Sequence, residues 1–257
     1  MNEREEEIAS ALPADLDALP RLRGFRLRGM EMTRLETFID AAFAFAISML
    51  VIAAQQMPDN IDALLDAFRN VPAFVTSVVV LGIFWRGHWL WSRRYGLEDG
   101  TSIFLSWALL VTVLIYIYPL KAIFGSMWFM LSEGKVGHAL GLRADAQARE
   151  IFALFALGFT AIALEIMLLN VRAWRLRTPL RLNAHEELIT RAEITGWSMP
   201  VWVGIVAFVL SLILPIPQIT WSGWIYFSLA IFVPIHRAYY TRKLKKLSTT
   251  VDSSVGE

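Results

Sequence analysis

The residues whose spacing could support hydrolytic or metal chemistry lie in one short segment. His185-Glu186-Glu187-Leu188-Ile189 begins like the metalloprotease motif H-E-x-x-H, in which two histidines one helical turn apart bind zinc. Ile189 stands where the second histidine is required, so this zinc site is incomplete. The sequence also has no G-x-S-x-G nucleophile motif, and its four histidines are scattered. We therefore expect no catalytic, cofactor-binding or metal-binding residues, and no enzyme.

A second set of polar residues lies within long apolar stretches, where an ionisable side chain is costly and is a functional candidate by default. Three of them lie one or two helical turns from an expected membrane edge, where a side chain can reach water or a neighbouring charge. Asp40 is the least easily explained, although the N-terminal dipole of its own helix also favours a carboxylate. The ionisable residues in or near these stretches are Asp40, Arg86, His88, Glu165 and His236.

The partner of Asp40 is expected on another helix. Arg34, its nearest basic neighbour, is six residues away and therefore about 120° away around a helix axis, so the two cannot pair. Trp85 and His88 lie near the end of the next apolar stretch, which runs in the opposite direction and reaches a similar depth. We predict a hydrogen bond from Asp40 to Trp85 or His88 that holds the two helices together.

The composition places these residues in a membrane protein. The 257 residues are 56% hydrophobic and 18% charged, and the charges are concentrated between long stretches that almost lack them. A bilayer core takes about 20 helical residues, and six stretches have this length. The sequence therefore predicts an all-α integral membrane protein with six transmembrane helices. The expected spans are approximately 36–56, 72–91, 101–123, 150–170, 198–215 and 219–237.

The distribution of Lys and Arg gives the orientation. Seventeen of these residues fall in loops on one side of the predicted spans and four on the other, and basic loops stay in the cytoplasm. Both termini are therefore expected in the cytoplasm, with the protein in the inner membrane. The net charge of +1 gives no reason to expect nucleic acid, and the absence of cysteine excludes a disulfide or thiolate site.

The first predicted span has two contrasting faces on a helical wheel. Ala42, Ala46 and Ala53 form a small face that suits close helix packing. On the wheel alone, the neighbouring bulky stripe faces lipid, another helix or a pore. That stripe is formed by Phe45, Met49 and Ile52, with Ser48 nearby.

The same helix resembles the first helix of the bacterial transmembrane protein 175 family. The family signature is R-x-x-x-F-S-D followed by a small apolar helix, and Arg34, Phe38 and Asp40 match it. Trp85-Arg86-Gly87-His88 resembles the W-x-x-H that ends the second helix of the family. Leu109–Pro119 resembles the third helix with its closing proline. The resemblance covers about the first half of the chain.

The resemblance implies a potassium-permeable cation channel subunit. In the family, four bacterial six-helix subunits surround one pore, and the first helix lines it with a hydrophobic constriction. We accordingly expect a homo-oligomer, a tetramer, that contacts membrane lipids and conducts potassium or other monovalent cations. The corresponding domains are a cytoplasmic tail (1–33), the six-helix channel domain (34–240) and a second cytoplasmic tail (241–257).

The resemblance also implies roles for individual residues. Phe45, Met49 and Ile52 correspond to the constriction, and Ser48 corresponds to the hydroxyl position linked to potassium preference. The residues implied to tie the first two helices together are Arg34, Phe38, Asp40, Trp85 and His88.

Two departures from the family pattern leave other functions open. Ile39 replaces the motif serine, and Phe45 places an aromatic ring where an aliphatic residue is usual. Four such rings around one axis could close or dewet a narrow pore. The alternatives are a proton-leaking channel, a non-conducting membrane scaffold and a secondary transporter. A transporter would need a midplane site of broken helices or buried charge, which these spans almost lack.

Overall fold

The computed structural model of the chain is a bundle of long helices, and it describes residues 6, 8–10, 12–52, 59–138, 141 and 145–255. A hairpin of two short antiparallel strands, β1 (Arg21–Leu22) and β2 (Phe25–Arg26), precedes the bundle. Two 3-10 turns, Ile216–Gln218 and Ile225–Ser228, flank the short helix α7. The helices are α1 (Arg34–Ile52), α2 (Ile61–Arg69), α3 (Val71–Tyr95), α4 (Gly100–Leu131), α5 (Asp145–Arg175), α6 (Ala184–Ile213), α7 (Trp221–Trp224) and α8 (Leu229–Val255).

Four of the described helices are long and apolar enough to cross a membrane. They are α3, α4, α5 from Ala146 onward, and α6. They coincide with the second to fifth predicted spans. The first predicted span corresponds to α1, and its residues 53–56 lie outside the described residues. The sixth predicted span begins in the short turns around α7 and continues into α8.

Two helices end later than the sequence predicted. Pro119 was expected to close its helix, but it lies inside α4, which continues to Leu131. A proline removes one backbone hydrogen bond, and helices in apolar surroundings tolerate this loss when neighbouring helices support them. At the other end of the chain, α8 continues to Val255 through much of the segment predicted as a tail, 241–257. Lys and Leu in its basic run favour helix, so the helix has no local reason to stop.

The main hydrophobic core lies where α1, α3, α4 and α5 meet. Residues such as Leu81 of α3, Leu109 of α4 and Ile162 of α5 are fully buried there. On the other side of α5, helix α6 makes the most extensive contact in the bundle. Gly204 of α6 faces Thr160 of α5 so closely that a Cβ atom there would overlap the threonine. Small residues at such positions let two helices approach each other closely.

The end of the bundle where α3 ends and α6 begins is here called the basic end, and it carries the β1–β2 hairpin. The turn residues Arg23 and Gly24 have φ angles of 53° and 81°, which suit a two-residue hairpin turn. Phe25 is fully buried and packs edge-on against Tyr95 of α3 with ring centroids 5.5 Å apart. The segment predicted as an N-terminal tail, 1–33, therefore packs against the helices through Phe25.

A buried ion cluster fixes this hairpin to α6. Glu186 is fully buried, and its carboxylate accepts hydrogen bonds from Arg26 at 2.8 Å and from Arg28 at 2.9 Å. The hydrogen bond to Glu186 is the main reason that the pKa of Arg26 is raised above its ordinary value, although burial alone would lower it. Glu186 also completes a capping box with Asn183, so the same residue starts α6 and holds the hairpin.

The loop between α3 and α4 is tied to α5 at the same end. Asp99 caps α4 by accepting from the backbone N–H of Thr101. It also accepts from the Ser102 hydroxyl at 2.6 Å and pairs with Arg172 at 2.9 Å. Burial alone would raise the pKa of Asp99, but the bonds from Ser102 and Arg172 outweigh it, so its pKa is lowered.

Candidate functional site

One face of α1 is buried in the main core. Ile39, Phe43, Ala46 and Leu50 recur every three or four residues and are at most 3% exposed. Through this face α1 packs against α3 and α4. Ile39, which replaces the motif serine, is fully buried. The lost hydroxyl is therefore replaced by apolar packing.

The opposite face of α1 has no covering helix within the described part of the chain. It is here called the open face. Phe45 is its largest residue and is 56% exposed. The residues at helical spacing on the open face are Ala41, Ala44, Phe45, Ser48 and Val51.

The three residues expected at the constriction and the expected hydroxyl residue, Ser48, do not all lie on the same face of α1. Phe45 and Ser48 belong to the open face, whereas Met49 is half-buried and packs against the main core. Ile52 ends α1, and its side chain lies outside what the structure describes. The Ser48 hydroxyl donates its proton to the carbonyl oxygen of Ala44 at 3.0 Å. Its lone pairs therefore remain available toward the open side.

Asp40 forms one of the two predicted hydrogen bonds to α3. The indole N–H of Trp85 donates to Asp40 Oδ1 at 2.8 Å. The donor and acceptor are 45 residues apart in sequence and join two different helices. This hydrogen bond fixes the rotation of α1 beside α3, because Asp40 lies at the border of the buried and open faces.

The other predicted partner of Asp40 makes a different contact. His88 is 1% exposed, and its Nε2 lies 3.0 Å from the hydroxyl of Ser106 in α4. Of the two alternatives, Asp40 therefore bonds to Trp85, and the hydrogen bond of His88 joins α3 to α4. The reason is rotation, because three residues after Trp85 correspond to about 60° around α3, which turns His88 into the bundle.

The remaining motif residues connect the start of α1 to its surroundings. Phe38 is 47% exposed and packs against Trp107 of α4, with ring centroids 5.1 Å apart. Arg34 is exposed at the first position of α1 and makes no ion pair with any described residue. A contact that the sequence did not suggest lies two residues further on. Glu36 is 2% exposed and pairs with Arg93 of α3 at 3.3 Å.

The other ionisable residues of the apolar stretches lie away from α1. Glu165 of α5 is hydrogen-bonded to the Thr112 hydroxyl of α4 at 2.8 Å. His236 of α8 lies 2.8 Å from the hydroxyl of Thr195 in α6. Among the described residues, no group of three or more His, Asp or Glu side chains is arranged to hold a metal ion. These residues therefore join neighbouring helices in pairs and do not form a shared centre.

The four helices able to cross a membrane define a helical membrane protein with several spans. Comparisons with known proteins identify the family to which it belongs. Residues 34–119 match the family model described as the endosomal/lysosomal potassium channel TMEM175. A protein of Marivirga tractuosa named potassium channel is 31% identical over 221 residues, which cover 82% of this chain and 87% of the relative. The chain belongs to the TMEM175 family. The members of this family named here are potassium channels, and a potassium channel is not an enzyme.

Two solved structures agree with this assignment. A crystal structure of a variant of the potassium channel MtTMEM175, in complex with a Nanobody-MBP fusion protein, is 28% identical and has a TM-score of 0.75. The structural match covers 88% of this chain and 100% of the MtTMEM175 chain. A lysosomal potassium-selective channel TMEM175 homolog from Chamaesiphon minutus has a TM-score of 0.52 at 23% identity, covering 79% and 95% of the two chains. At that identity the second likeness supports the fold alone.

Proposed function

We propose that the protein is a subunit of a potassium-permeable cation channel whose pore is lined by the open face of α1. The observation that supports this most is the chemistry of that face. Its exposed residues include two alanines and a serine around the ring of Phe45. A face turned to lipid has no need of small or hydroxyl-bearing residues, whereas helices that meet each other closely are enriched in them.

The exposed face of α3 provides the contrast. It carries large aliphatic residues that are 43% to 56% exposed, as expected beside lipid tails. Gly82 lies in the same sector of the helix, where an added Cβ atom would meet nothing within 4 Å, so the contrast is in the exposed side chains and not in a complete lack of small residues. The stripe consists of Val71, Val75, Val79 and Ile83.

A single open face cannot enclose a path for ions, so the proposal requires several copies. We infer a homotetramer in the inner membrane, with six spans per subunit and both termini in the cytoplasm. The named relatives are potassium channels of the same family, and the basic end carries most of the arginines and lysines near the helix ends. In this arrangement, 34–240 forms the channel domain, and the flanking segments 1–33 and 241–257 are cytoplasmic.

Conduction through this pore would depend on Phe45 and Ser48. A ring of Phe45 side chains forms a hydrophobic constriction, which resists ions unless it widens enough to hold water. The Ser48 hydroxyl lies one turn further along the helix and donates its proton inward to Ala44. Its oxygen therefore presents lone pairs to a passing cation. The Asp40–Trp85 hydrogen bond keeps both residues at a fixed angle to the axis.

The test is ion flux through the purified protein in liposomes, measured separately for potassium, sodium and protons. Phe45→Ala should raise potassium flux at least severalfold, because it removes the aromatic ring from the constriction. Phe232→Ala is the matched control. Phe232 is also exposed, at 52%, but it lies on α8, which packs against α6 and not against α1.

The outcomes separate the candidate functions. Higher potassium flux from Phe45→Ala alone supports the pore. Equal flux from the native chain and both variants would mean that ions do not pass Phe45. Flux of protons without potassium would favour a proton leak. No flux from oligomers of verified size would favour a non-conducting scaffold.

A further inference from the structure

A groove separates the beginning of α6 from the cytoplasmic extension of α8 at the basic end. The groove is open to its surroundings and has a volume of about 380 Å³. Ala184, Glu187, Leu188 and Arg191 follow one another at intervals of three or four residues, so they share one face of α6. From α8, the lining residues Lys243, Lys246 and Leu247 share one face in the same way.

The lining of this groove combines positive charge with apolar surface. Arg191, Lys243 and Lys246 supply three cations, and Glu187 supplies one carboxylate. The guanidinium of Arg191 lies 4.4 Å from the ring centroid of Trp174 at the end of α5, which restrains its position. The excess of positive charge in the lining is thus suited to a small anion such as a phosphate group.

The structure holds the two walls of the groove together on its membrane side. Thr195 lies one turn beyond Arg191 on α6 and contacts His236 at 2.8 Å and Tyr240 at 3.3 Å on α8. Leu244 of α8 packs against the buried apolar residues around Phe25 and Tyr95 at the basic end. The seam between the helices is therefore closed toward the bilayer and open at the level of the three cations.

The depth of the groove relative to the predicted spans indicates the source of an anion. Arg191 lies seven residues before the span 198–215, and Lys243 lies six residues after the span 219–237. At about 1.5 Å per residue, both lie about 10 Å outside the hydrocarbon core. Lipid headgroups occupy roughly the first 5–8 Å outside that core, within reach of extended Lys and Arg side chains.

We propose that this groove binds a phosphate group, and that its depth favours the phosphodiester of an anionic phospholipid over free phosphate. Basic pockets between membrane helices on the cytoplasmic side bind such headgroups through their Lys and Arg side chains. This site is separate from the open face of α1, since α6 and α8 do not form that face.

The test uses the full chain, purified in detergent free of phospholipid. Binding of phosphatidylglycerol, phosphatidylcholine and inorganic phosphate is measured by native mass spectrometry and by the shift in melting temperature. The groove variant is Lys243→Gln with Lys246→Gln. The matched control is Arg242→Gln with Lys245→Gln, which removes two charges from the same helix without touching the groove lining.

The native chain and the control should bind phosphatidylglycerol about tenfold or more tightly than phosphatidylcholine, and the groove variant should lose this preference. Binding of inorganic phosphate alone, lost in the groove variant, would keep the phosphate site but overturn its assignment to lipid. Equal affinities in both variants and the native chain would overturn the proposal. If the groove variant melts before it can be tested, Arg191→Gln replaces it, with the same expected loss.

Discussion

The basic end of the bundle and the open face of α1 differ in how their polar groups are satisfied. At the basic end, the buried carboxylate of Glu186 is bonded by two arginines, and Arg94 pairs with Glu193 at 2.7 Å. On the open face, the Ser48 hydroxyl bonds, among the described residues, to its own helix alone. The first region uses its polar groups to close the protomer, whereas the second leaves an oxygen and an aromatic ring uncovered.

This difference separates stability from function. Substitutions at the basic end should lower the free energy of unfolding without changing which ion the surviving protein conducts. Substitutions on the open face should change conduction with little effect on unfolding, because few contacts within the protomer depend on that face. The predictions below test this separation, beginning with the largest expected effect.

Glu186→Gln should destabilise the protein by about 3–5 kcal/mol, because it leaves Arg28 buried without a counterion among the described residues and leaves Arg26 only the exposed Asp17, 3.7 Å away. Glutamine keeps the shape and can still accept in the capping box, so the loss reports the charge. Melting of the purified protein measures it. The control is Glu187→Gln, since Glu187 makes no ion pair with any described residue. A change in ion preference of the surviving channels would contradict the separation.

The helices were largely predictable, but the folding of the N-terminal segment was not. Apolar stretches of about 20 residues have a strong signal, and four predicted spans coincide with helices able to cross a membrane. The bonds from Arg26 and Arg28 to Glu186 join residues 160 and 158 positions apart. No local pattern indicates a contact of this kind. The segment 1–33 was therefore expected to be a tail.

For the candidate site, the sequence predicted how deep each residue lies along its helix, but not how each helix is rotated about its axis. Asp40 and Trp85 lie at a similar depth on adjacent antiparallel helices, and their hydrogen bond followed from that. A helical wheel gives only relative angles, so it could not show that Met49 turns toward the core while Phe45 does not. The same limit applies to His88, whose partner is on α4 and not on α1.

A double-mutant cycle on Asp40 and Trp85 tests the hydrogen bond that joins α1 to α3 and orients the open face. Asp40→Ala and Trp85→Phe should each destabilise the protein, and their effects should be coupled by about 1–2 kcal/mol, typical of a partly exposed hydrogen bond to a charged group. Melting temperature and the yield of oligomer measure the loss. Because the bond orients the open face, the variants should also assemble less well.

Trp89→Phe is the matched control for this cycle. Trp89 stacks on Trp85 with ring centroids 6.3 Å apart, but its ring N–H bonds to no described residue. It should therefore show no coupling to Asp40→Ala. Additive effects in the Asp40 and Trp85 cycle would mean that the hydrogen bond does not hold α1, and that packing alone sets its rotation.

Asp99→Asn should have the smallest effect, about 1–2 kcal/mol, since asparagine can still cap α4 and only the ion pair with Arg172 is lost. The effect should depend on pH. Folding lowers the pKa of Asp99 from its ordinary 3.8, so the bound carboxylate stabilises the fold above that pH. This contribution disappears as the pH falls through the lower pKa of the folded state.

The difference in melting temperature between the native chain and Asp99→Asn should therefore be constant near neutral pH and shrink below about pH 4. Glu98→Gln, at the exposed neighbouring residue, should have no effect at either pH. A difference that persists unchanged in acid would mean that Asp99 acts through its shape. The basic end would then be held by packing and by the ion pairs of Glu186 and Glu193, and Asp99 would no longer belong to the contrast with the open face.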